Sequence, residues 1–285
     1  MNVFLEREIQ LTIQLGAGTF GDQVGNAVIL SGLRIFADMA APCGESMGAM
    51  QMRVYGLTQS MMNQLTTIGV FGQVAGASKI AVAAGEKDKA LTTIFQGSIW
   101  QAWADYNSAP EVAFNMIAYV GMNIALKPVE ASSYTGATDV SFIMESLAMD
   151  ADLAFVDGGV NVTLSSPYLS GSILDQIKEC ARAANIYYKI EAETLTIWPK
   201  DGIVAGPEPV ISPDTGMIGY PALSSQGMTV KTLFNPNVTM GGLINVESSL
   251  KMATGQFQVL NYTHNISCLA PGGPWFTEIL CFPKR

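Results

Sequence analysis

The chain has 285 residues, of which 49% are apolar and only 14% are charged. This length suits two or three modules of about 100 residues each. The low share of charged residues predicts a neutral surface that is buried against partners. The net charge of −9, with fifteen Lys and Arg residues, leaves too few cations to neutralise a phosphate backbone, which argues against tight nucleic-acid binding.

The cysteines and the N-terminal residues indicate the compartment. Four cysteines are scattered without a Cys-x-x-Cys pair, which argues against a zinc site or a disulfide framework and favours a reducing compartment; they are Cys43, Cys180, Cys268 and Cys281. The first eight residues carry charges where a signal peptide needs an apolar core, and no apolar run reaches the length of about 18 residues that spans a bilayer. We therefore expect a protein that is made in a cytoplasm and does not enter a membrane.

The first 130 residues are typical of β-structure. Residues 7–15 alternate between apolar and polar side chains, which is the period of a half-buried antiparallel strand. A helix is predicted at Thr58–Thr67, where a threonine can cap apolar residues at helical spacing. Turn residues separate further candidate strands, which are Ala27–Asp38, Met50–Gly56, Lys79–Ala84, Thr92–Trp103, Val112–Ala118 and Asn123–Pro128.

A different pattern occupies residues 131–200. After a linker of small residues, Asp139 can cap a helix with one apolar face. A second predicted helix, Ser172–Ala184, begins with a capping box that Asp175 completes, and a hairpin follows at 187–198. This α+β module has nine acidic and four basic residues, so it holds −5 of the net charge of −9.

The last part of the chain returns to short strands after a Gly- and Pro-rich linker at 200–209. The sequence therefore predicts a mainly β fold with an α+β insert. Its three expected modules span residues 1–130, 131–200 and 201–285. The strand-bearing segments after the linker are 211–221, 227–237, 242–248, 255–264 and 272–279.

One glycine-rich segment matches a nucleotide-binding fingerprint. Gly16-Ala-Gly-Thr-Phe-Gly21 follows a strand and has Asp38 downstream, as in a dinucleotide-binding unit. A Rossmann first strand, however, is buried on both faces and is continuously apolar, whereas residues 7–15 alternate. The pattern favours a glycine-rich hairpin loop over a dinucleotide site.

His264 is the single histidine, which excludes a multi-histidine metal centre and leaves one imidazole for a catalytic triad. No Gly-x-Ser-x-Gly elbow accompanies it. Its place at the end of a predicted strand favours a hydrogen-bonded structural role over that of a general base.

Five acidic residues form a cluster after residue 138, namely Asp139, Glu145, Asp150, Asp152 and Asp157. An EF-hand loop that opens at Asp150 would need a ligand at 154 and a glycine at 155, but the chain has Ala154 and Phe155. A pair of carboxylates for glycoside hydrolysis stays open, although a solvated acidic face is the default interpretation.

The motifs of residues 209–283 occur in a recognisable order. They are Ser212-Pro-Asp-Thr-Gly-Met-Ile-Gly219, Leu233-Phe-Asn-Pro236 and Trp275-Phe-Thr-Glu-Ile279. This order resembles that of baseplate hub proteins of long-tailed bacteriophages. Upstream, Gly97-Ser-Ile99 and Trp103-Ala-Asp105 are similar to the first β domain of that family, while 265–273 departs from its usual turn.

The resemblance implies a structural virion protein. It implies a homotrimer with two tail-tube-like β-barrel or sandwich domains per chain, which flank the α+β domain and let a threefold spike meet a sixfold tube. The implied partners are the tail tube, central spike, tape measure and other baseplate proteins, with DNA passing through without tight binding. We expect a location in the tail baseplate, no enzymatic activity, no cofactor, and no catalytic, cofactor-binding or metal-binding residues. The alternative is a cell-wall hydrolase that is associated with a phage tail.

Overall fold

The structure is a computed structural model that describes residues 6–16, 19–20, 25–42, 46–67, 78–107, 109–127 and 129–284. Strands make up 47% of the described residues and helices 15%. This composition confirms the mainly β fold class with helices concentrated in one region. No described helix has the length and apolar character needed to span a membrane.

The elements are numbered here in chain order. The first part contains β1 (Arg7–Gln14), β2 (Ala27–Leu30), β3 (Arg34–Ala41), β4 (Ala49–Tyr55), α1 (Gln59–Leu65), β5 (Lys79–Glu86), β6 (Thr92–Asp105), β7 (Ala113–Tyr119) and α2 (Met122–Leu126). The middle contains β8 (Ser132–Ser133), β9 (Ala137–Asp139), α3 (Val140–Asp150), β10 (Ala154–Asp157), β11 (Thr163–Ser165), β12 (Tyr168–Leu169), α4 (Ile173–Ala184), β13 (Ile186–Glu191) and β14 (Thr194–Pro199). The last part contains β15 (Val210–Ile211), β16 (Ala222–Ser224), β17 (Gly227–Leu233), β18 (Leu243–Val246), a 3-10 helix (Lys251–Ala253), β19 (Gly255–Cys268) and β20 (Trp275–Pro283).

The chain folds into two compact units. Unit 1 comprises the described residues of Met1–Ala40, Gly48–Met122 and Thr263–Thr277. Unit 2 comprises those of Ala41–Met47, Asn123–Tyr262 and Glu278–Arg285. The long strands β19 and β20 contribute residues to both units.

Unit 1 contains the antiparallel strand order β3-β4-β7-β6-β5-β1-β2, which is part of a larger sheet that continues from β3 to β19. The alternation at residues 7–15 has the predicted effect, because Ile9, Leu11 and Ile13 are fully buried while their neighbours are partly or fully exposed. β1 pairs antiparallel with both β2 and β5. No pairing among the described residues closes this order into a barrel.

One predicted strand of unit 1 is divided in the structure. Residues 27–38 were expected to form a single strand, but β2 ends at Leu30 and β3 begins at Arg34. Gly32 lies between them with a φ of +68°, a left-handed conformation that glycine adopts without steric cost. The glycine therefore turns the chain where the apolar pattern alone indicates continuity.

The α+β part of unit 2 has its own core. Helices α3 and α4 pack against the sheet β10-β14-β13. As predicted, Asp139 caps α3 and accepts the Ser141 N–H, and Ser172 with Asp175 forms a complete capping box on α4. The core side chains include Ile143, Met144, Leu147, Ile173, Ile177, Cys180, Leu195 and Ile197.

The prediction of a strand at Asn123–Pro128 is wrong. Residues Met122–Leu126 form α2, and Ile124 is buried with the core of α3 and α4. A short apolar run fits a buried helix turn as well as a strand, so its period cannot decide between them.

The strands of the last part of the chain follow the order β16-β17-β20-β19-β18-β15 within the large sheet. Their core surrounds Trp198, whose side chain is almost fully buried. Gly241 lies against this indole: a Cβ added there would be 2.8 Å from Trp198 Cε2 and 2.7 Å from Val204 Cγ2. The backbone at 241 therefore approaches the tryptophan as closely as glycine allows.

Candidate assembly surfaces

The acidic cluster is partly used for local structure. The Asp157 carboxylate accepts hydrogen bonds from Ser141 Oγ at 2.7 Å, from Val160 N at 2.8 Å and from Gly159 N at 2.9 Å. Together with the cap formed by Asp139, this ties the start of α3 to the turn after β10. The remaining three carboxylates, of Glu145, Asp150 and Asp152, are exposed. Within the described part of the chain, no group of three or more His, Cys, Asp or Glu side chains is arranged to hold a metal ion.

His264 lies inside unit 1 and is only 2% exposed. Its Nδ1 is 2.9 Å from Oγ1 of Thr277, which is itself fully buried. Burial lowers the pKa of this imidazole to about 4, so the ring is neutral at pH 7. This geometry has the hydrogen bond expected of a structural histidine, and the ring has almost no access to a substrate.

The glycine-rich segment at 16–21 follows β1, as expected, but β1 lies between two antiparallel neighbours. A dinucleotide-binding unit places its first strand in a parallel sheet. The Gly16 N–H faces Ser78 Oγ at 3.4 Å, while residues 17–18 and 21 lie outside the described residues. Asp38 lies within β3 and pairs with Gln51. It therefore does not occupy the strand-end position of a ribose ligand.

The cysteines of the described residues are buried and unpaired, namely Cys180, Cys268 and Cys281. Burial raises the pKa of the Cys180 and Cys281 thiols to about 12, so both are protonated and unreactive at neutral pH. Cys43 lies outside the described residues. These side chains act as small apolar groups of the core.

One open sheet edge is formed by the segment 217–224, which we call the edge segment. It runs beside β17: Met217 pairs with Thr232, Ile218 N donates to Lys231 O, and β16 pairs with the start of β17. Its exposed apolar side chains are Ile218 at 39%, Tyr220 at 73% and Leu223 at 56%. β16 ends the strand order of the described residues, so its outer backbone groups are available for another strand.

A second open edge belongs to unit 1. β2 pairs with β1 on one side, and no described strand pairs with its other side. Ile29 in the middle of this four-residue strand is 64% exposed. Each unit therefore ends in a short strand that carries an exposed apolar side chain.

A shallow groove lies beside the turn between β19 and β20. It has a volume of about 730 Å³. Arg7 borders it, with its guanidinium 5.4 Å from the centre of the Trp275 ring and Nη1 donating to Gly273 O at 3.2 Å. Leu269, in a left-handed conformation, is 51% exposed at the rim. The groove thus combines a fixed cation with an apolar rim, which suits contact with another protein.

Sequence reasoning missed the edge segment as a surface. Leu223 and Ile218 have the residue types of a core, and their exposure follows from the position of β16 at the end of the sheet. A signal was present in Pro221 and Gly219, since proline within a strand-like run indicates an edge.

Solved structures of phage tail proteins share this fold. The tail protein from Neisseria meningitidis MC58 gives a TM-score of 0.63 at 8% identity, with 96% of each chain covered. The 43 kDa tail protein of prophage MuSo2 from Shewanella oneidensis gives 0.62 at 7% identity, with 97% of this chain and 96% of that chain covered. The c3393 protein of E. coli, a component of the type VI secretion system, gives 0.61 at 12% identity, with 88% of this chain and 73% of that chain covered.

At these identities the likeness shows a common fold and leaves function open. The search of curated proteins found no sequence similar to this one. Family membership is established by the sequence itself, in agreement with the motif order of residues 209–283. The sequence matches the family described as Baseplate hub gp41 over residues 9–270, and the chain belongs to this family of phage baseplate hub proteins.

Proposed function

We propose that three copies of this chain form a ring that joins the tail tube to the central spike and surrounds the path of the DNA. The observation that carries the proposal is the family match over residues 9–270. A structural role in a phage tail follows from that membership. The copy number, the spike contact and the conduit are the proposed part.

The open edges support assembly from several copies. A free strand edge with exposed apolar side chains is an aggregation hazard for an isolated monomer, and closed rings of identical subunits remove such edges. The edge segment and β2 are two different surfaces, so a contact between them would be heterologous and would generate a ring when its rotation closes after three copies. In this proposal the edge segment of one copy pairs with β2 of the next.

The net charge supports a passive conduit. Each chain carries −9, so three copies carry −27. Such a field repels a polyanion and keeps DNA from adhering to the channel. Transport of DNA needs the absence of tight contacts, which the shortage of basic residues provides.

The proposal includes a structural role without catalysis, as the family and the fold suggest. A cell-wall hydrolase gains no support from the described residues: His264 is buried, and Asp139 and Asp157 are engaged at the start of α3. The same proposal includes a division into three modules, at residues 1–130, 131–200 and 201–285. It also includes synthesis in the host cytoplasm.

Electron microscopy of tails from the phage that encodes this chain tests where the chain lies in the tail. A peptide tag inserted at Met252, which is 84% exposed, would be located with a gold-labelled antibody. The proposal expects label at the end of the tube where the spike is attached. Label along the tube or at the head end would contradict it.

A further inference from the structure

The two helices of the α+β module differ in the face that they turn to solvent. The exposed and partly exposed residues of α4 are charged apart from Ala183; they are Asp175, Lys178, Glu179 and Arg182. In contrast, α3 exposes Phe142 at 59% and Met149 at 65%. Both helices bury the opposite face in the same core, so the apolar side chains on the outside of α3 are additional to those that the fold needs.

Phe142 and Met149 are seven residues apart, which places them on one side of the helix about 10 Å from each other along its axis. Ser146 lies between them and is small. Tyr134 extends the apolar area, since its ring meets that of Phe142 edge-on at 6.3 Å and 81°. The result is a row of two large side chains with the small Ser146 between them, which we call the α3 face.

Negative charge surrounds the α3 face. Residues 139–157 contain five acidic residues and no Lys or Arg. Glu145 and Asp150 are exposed on α3 itself, and their carboxylates make no hydrogen bond or ion pair with a described residue. One cation, Lys127, donates to the main-chain carbonyl of Asp150 at 3.3 Å. An occupant of this face therefore has apolar anchors and positive charge.

We infer that the α3 face docks a basic amphipathic segment of a different tail protein. An apolar side chain of that segment lies over Ser146, between Phe142 and Met149, and Lys or Arg side chains lie beside Glu145 and Asp150. A second copy of this chain is disfavoured because the same faces would place like charges opposite each other. The α3 face shares no residue with the edge segment or with β2, so its test is independent of the proposed ring.

A direct test uses the full chain and three fluorescein-labelled helical peptides of 16 residues. The first has a leucine stripe flanked by lysines, the second has glutamates in place of the lysines, and the third has serines in place of the leucines. Fluorescence anisotropy should show that the first peptide binds at least about tenfold more tightly than the other two, because only it offers both apolar anchors and complementary charge. Its affinity should fall as salt is added.

Variants then locate the peptide. The double variant Phe142→Ser/Met149→Ser should weaken binding at least about tenfold, and Glu145→Lys about threefold or more. The matched controls are Glu179→Lys on α4 and Met252→Ser, another exposed methionine, and both should bind like the wild type. Thermal unfolding should be nearly unchanged in all four, since the substituted side chains are exposed or partly exposed.

The inference would be overturned if the glutamate peptide bound as tightly as the lysine peptide, or if the lysine peptide did not bind. It would also be overturned if Glu179→Lys weakened binding as much as Glu145→Lys. A second measurement uses assembled virions with the photoreactive residue p-benzoylphenylalanine in place of Ser146. Mass spectrometry should find the cross-link on a segment of another tail protein that contains Lys or Arg. A cross-link to a second copy of this chain, or to an acidic segment, would also overturn it.

Discussion

His264 and Thr277 form a buried polar pair in unit 1 that makes the stability of the fold depend on pH. The imidazole has a pKa near 4 in the folded protein because burial penalises its charged form, against about 6.5 in an unfolded chain. The unfolded state therefore binds a proton at a higher pH than the folded state. The contribution of this residue to stability is complete above pH 6.5 and is lost as the pH falls towards 4.

We predict that the wild type loses up to about 3 kcal/mol of unfolding free energy between pH 6.5 and 4 relative to His264→Gln. Urea unfolding at several pH values measures this difference. Thr277→Val serves as the control, because it removes the hydrogen-bond partner but keeps the buried imidazole, so the pH dependence should persist. Parallel curves for the wild type and His264→Gln would contradict the assignment.

Gly241 tests the close packing around Trp198. Gly241→Ala forces an alanine into a left-handed conformation and places its Cβ against the indole and Val204. Gly219→Ala is the matched control, since Gly219 has a similar φ of +73° and no atom within 4 Å of the added Cβ. Both variants place an alanine in a left-handed conformation, but only in Gly241→Ala does the added Cβ also overlap neighbouring atoms. Thermal or urea unfolding should show that Gly241→Ala is less stable than Gly219→Ala by about 1–3 kcal/mol; equal losses would refute the packing argument.

At the scale of elements, the edge segment gives the sharpest test of assembly. Leu223→Lys places a charge on β16, which hinders the addition of another strand, while an exposed substitution leaves the unfolding free energy within about 0.5 kcal/mol. Analytical ultracentrifugation of the chain with its tube and spike partners should show a loss of assembled species. Met252→Lys, with the same change of charge at another exposed site, should assemble normally. Normal assembly of Leu223→Lys would exclude the edge as a contact.

The elements also show how far the sequence predicts the fold. Helix caps and apolar periodicity depend on interactions between residues that are close in sequence, so elements that carry them can be predicted. The structure confirms the strand at residues 7–15, the helix capped by Asp139 and the capping box at Ser172. Elements of two or three residues such as β8 and β16 depend on pairing with distant strands. They leave no period in the sequence, and so were not predicted.

The candidate surfaces were harder to predict for a related reason. A pattern shows which residues share a face, but the tertiary structure decides whether that face meets a core or water. Phe142 and Ile143 are adjacent apolar residues of α3, yet the first is 59% exposed and the second is fully buried. The edge segment and the α3 face therefore became visible only in the folded chain.

For the whole molecule, the charge predicts how the protein treats DNA. With −9 per chain and fifteen basic residues among 285, the full chain should not bind duplex DNA at physiological ionic strength. Fluorescence anisotropy with a labelled duplex should stay flat at protein concentrations up to about 10 μM. Tight binding that weakens steeply with salt would contradict the passive-conduit proposal.

For the assembled molecule we propose a threefold hub. Cryo-electron microscopy of the chain assembled with its tail tube protein tests it most directly, because symmetry and copy number are read from one reconstruction. We predict three copies in a ring around a channel. The first and last β modules of each copy should be related by a rotation of about 60°, as three chains that match six tube subunits require. A ring with another number of copies, an assembly without a channel, or two β modules with unrelated strand orders would contradict it.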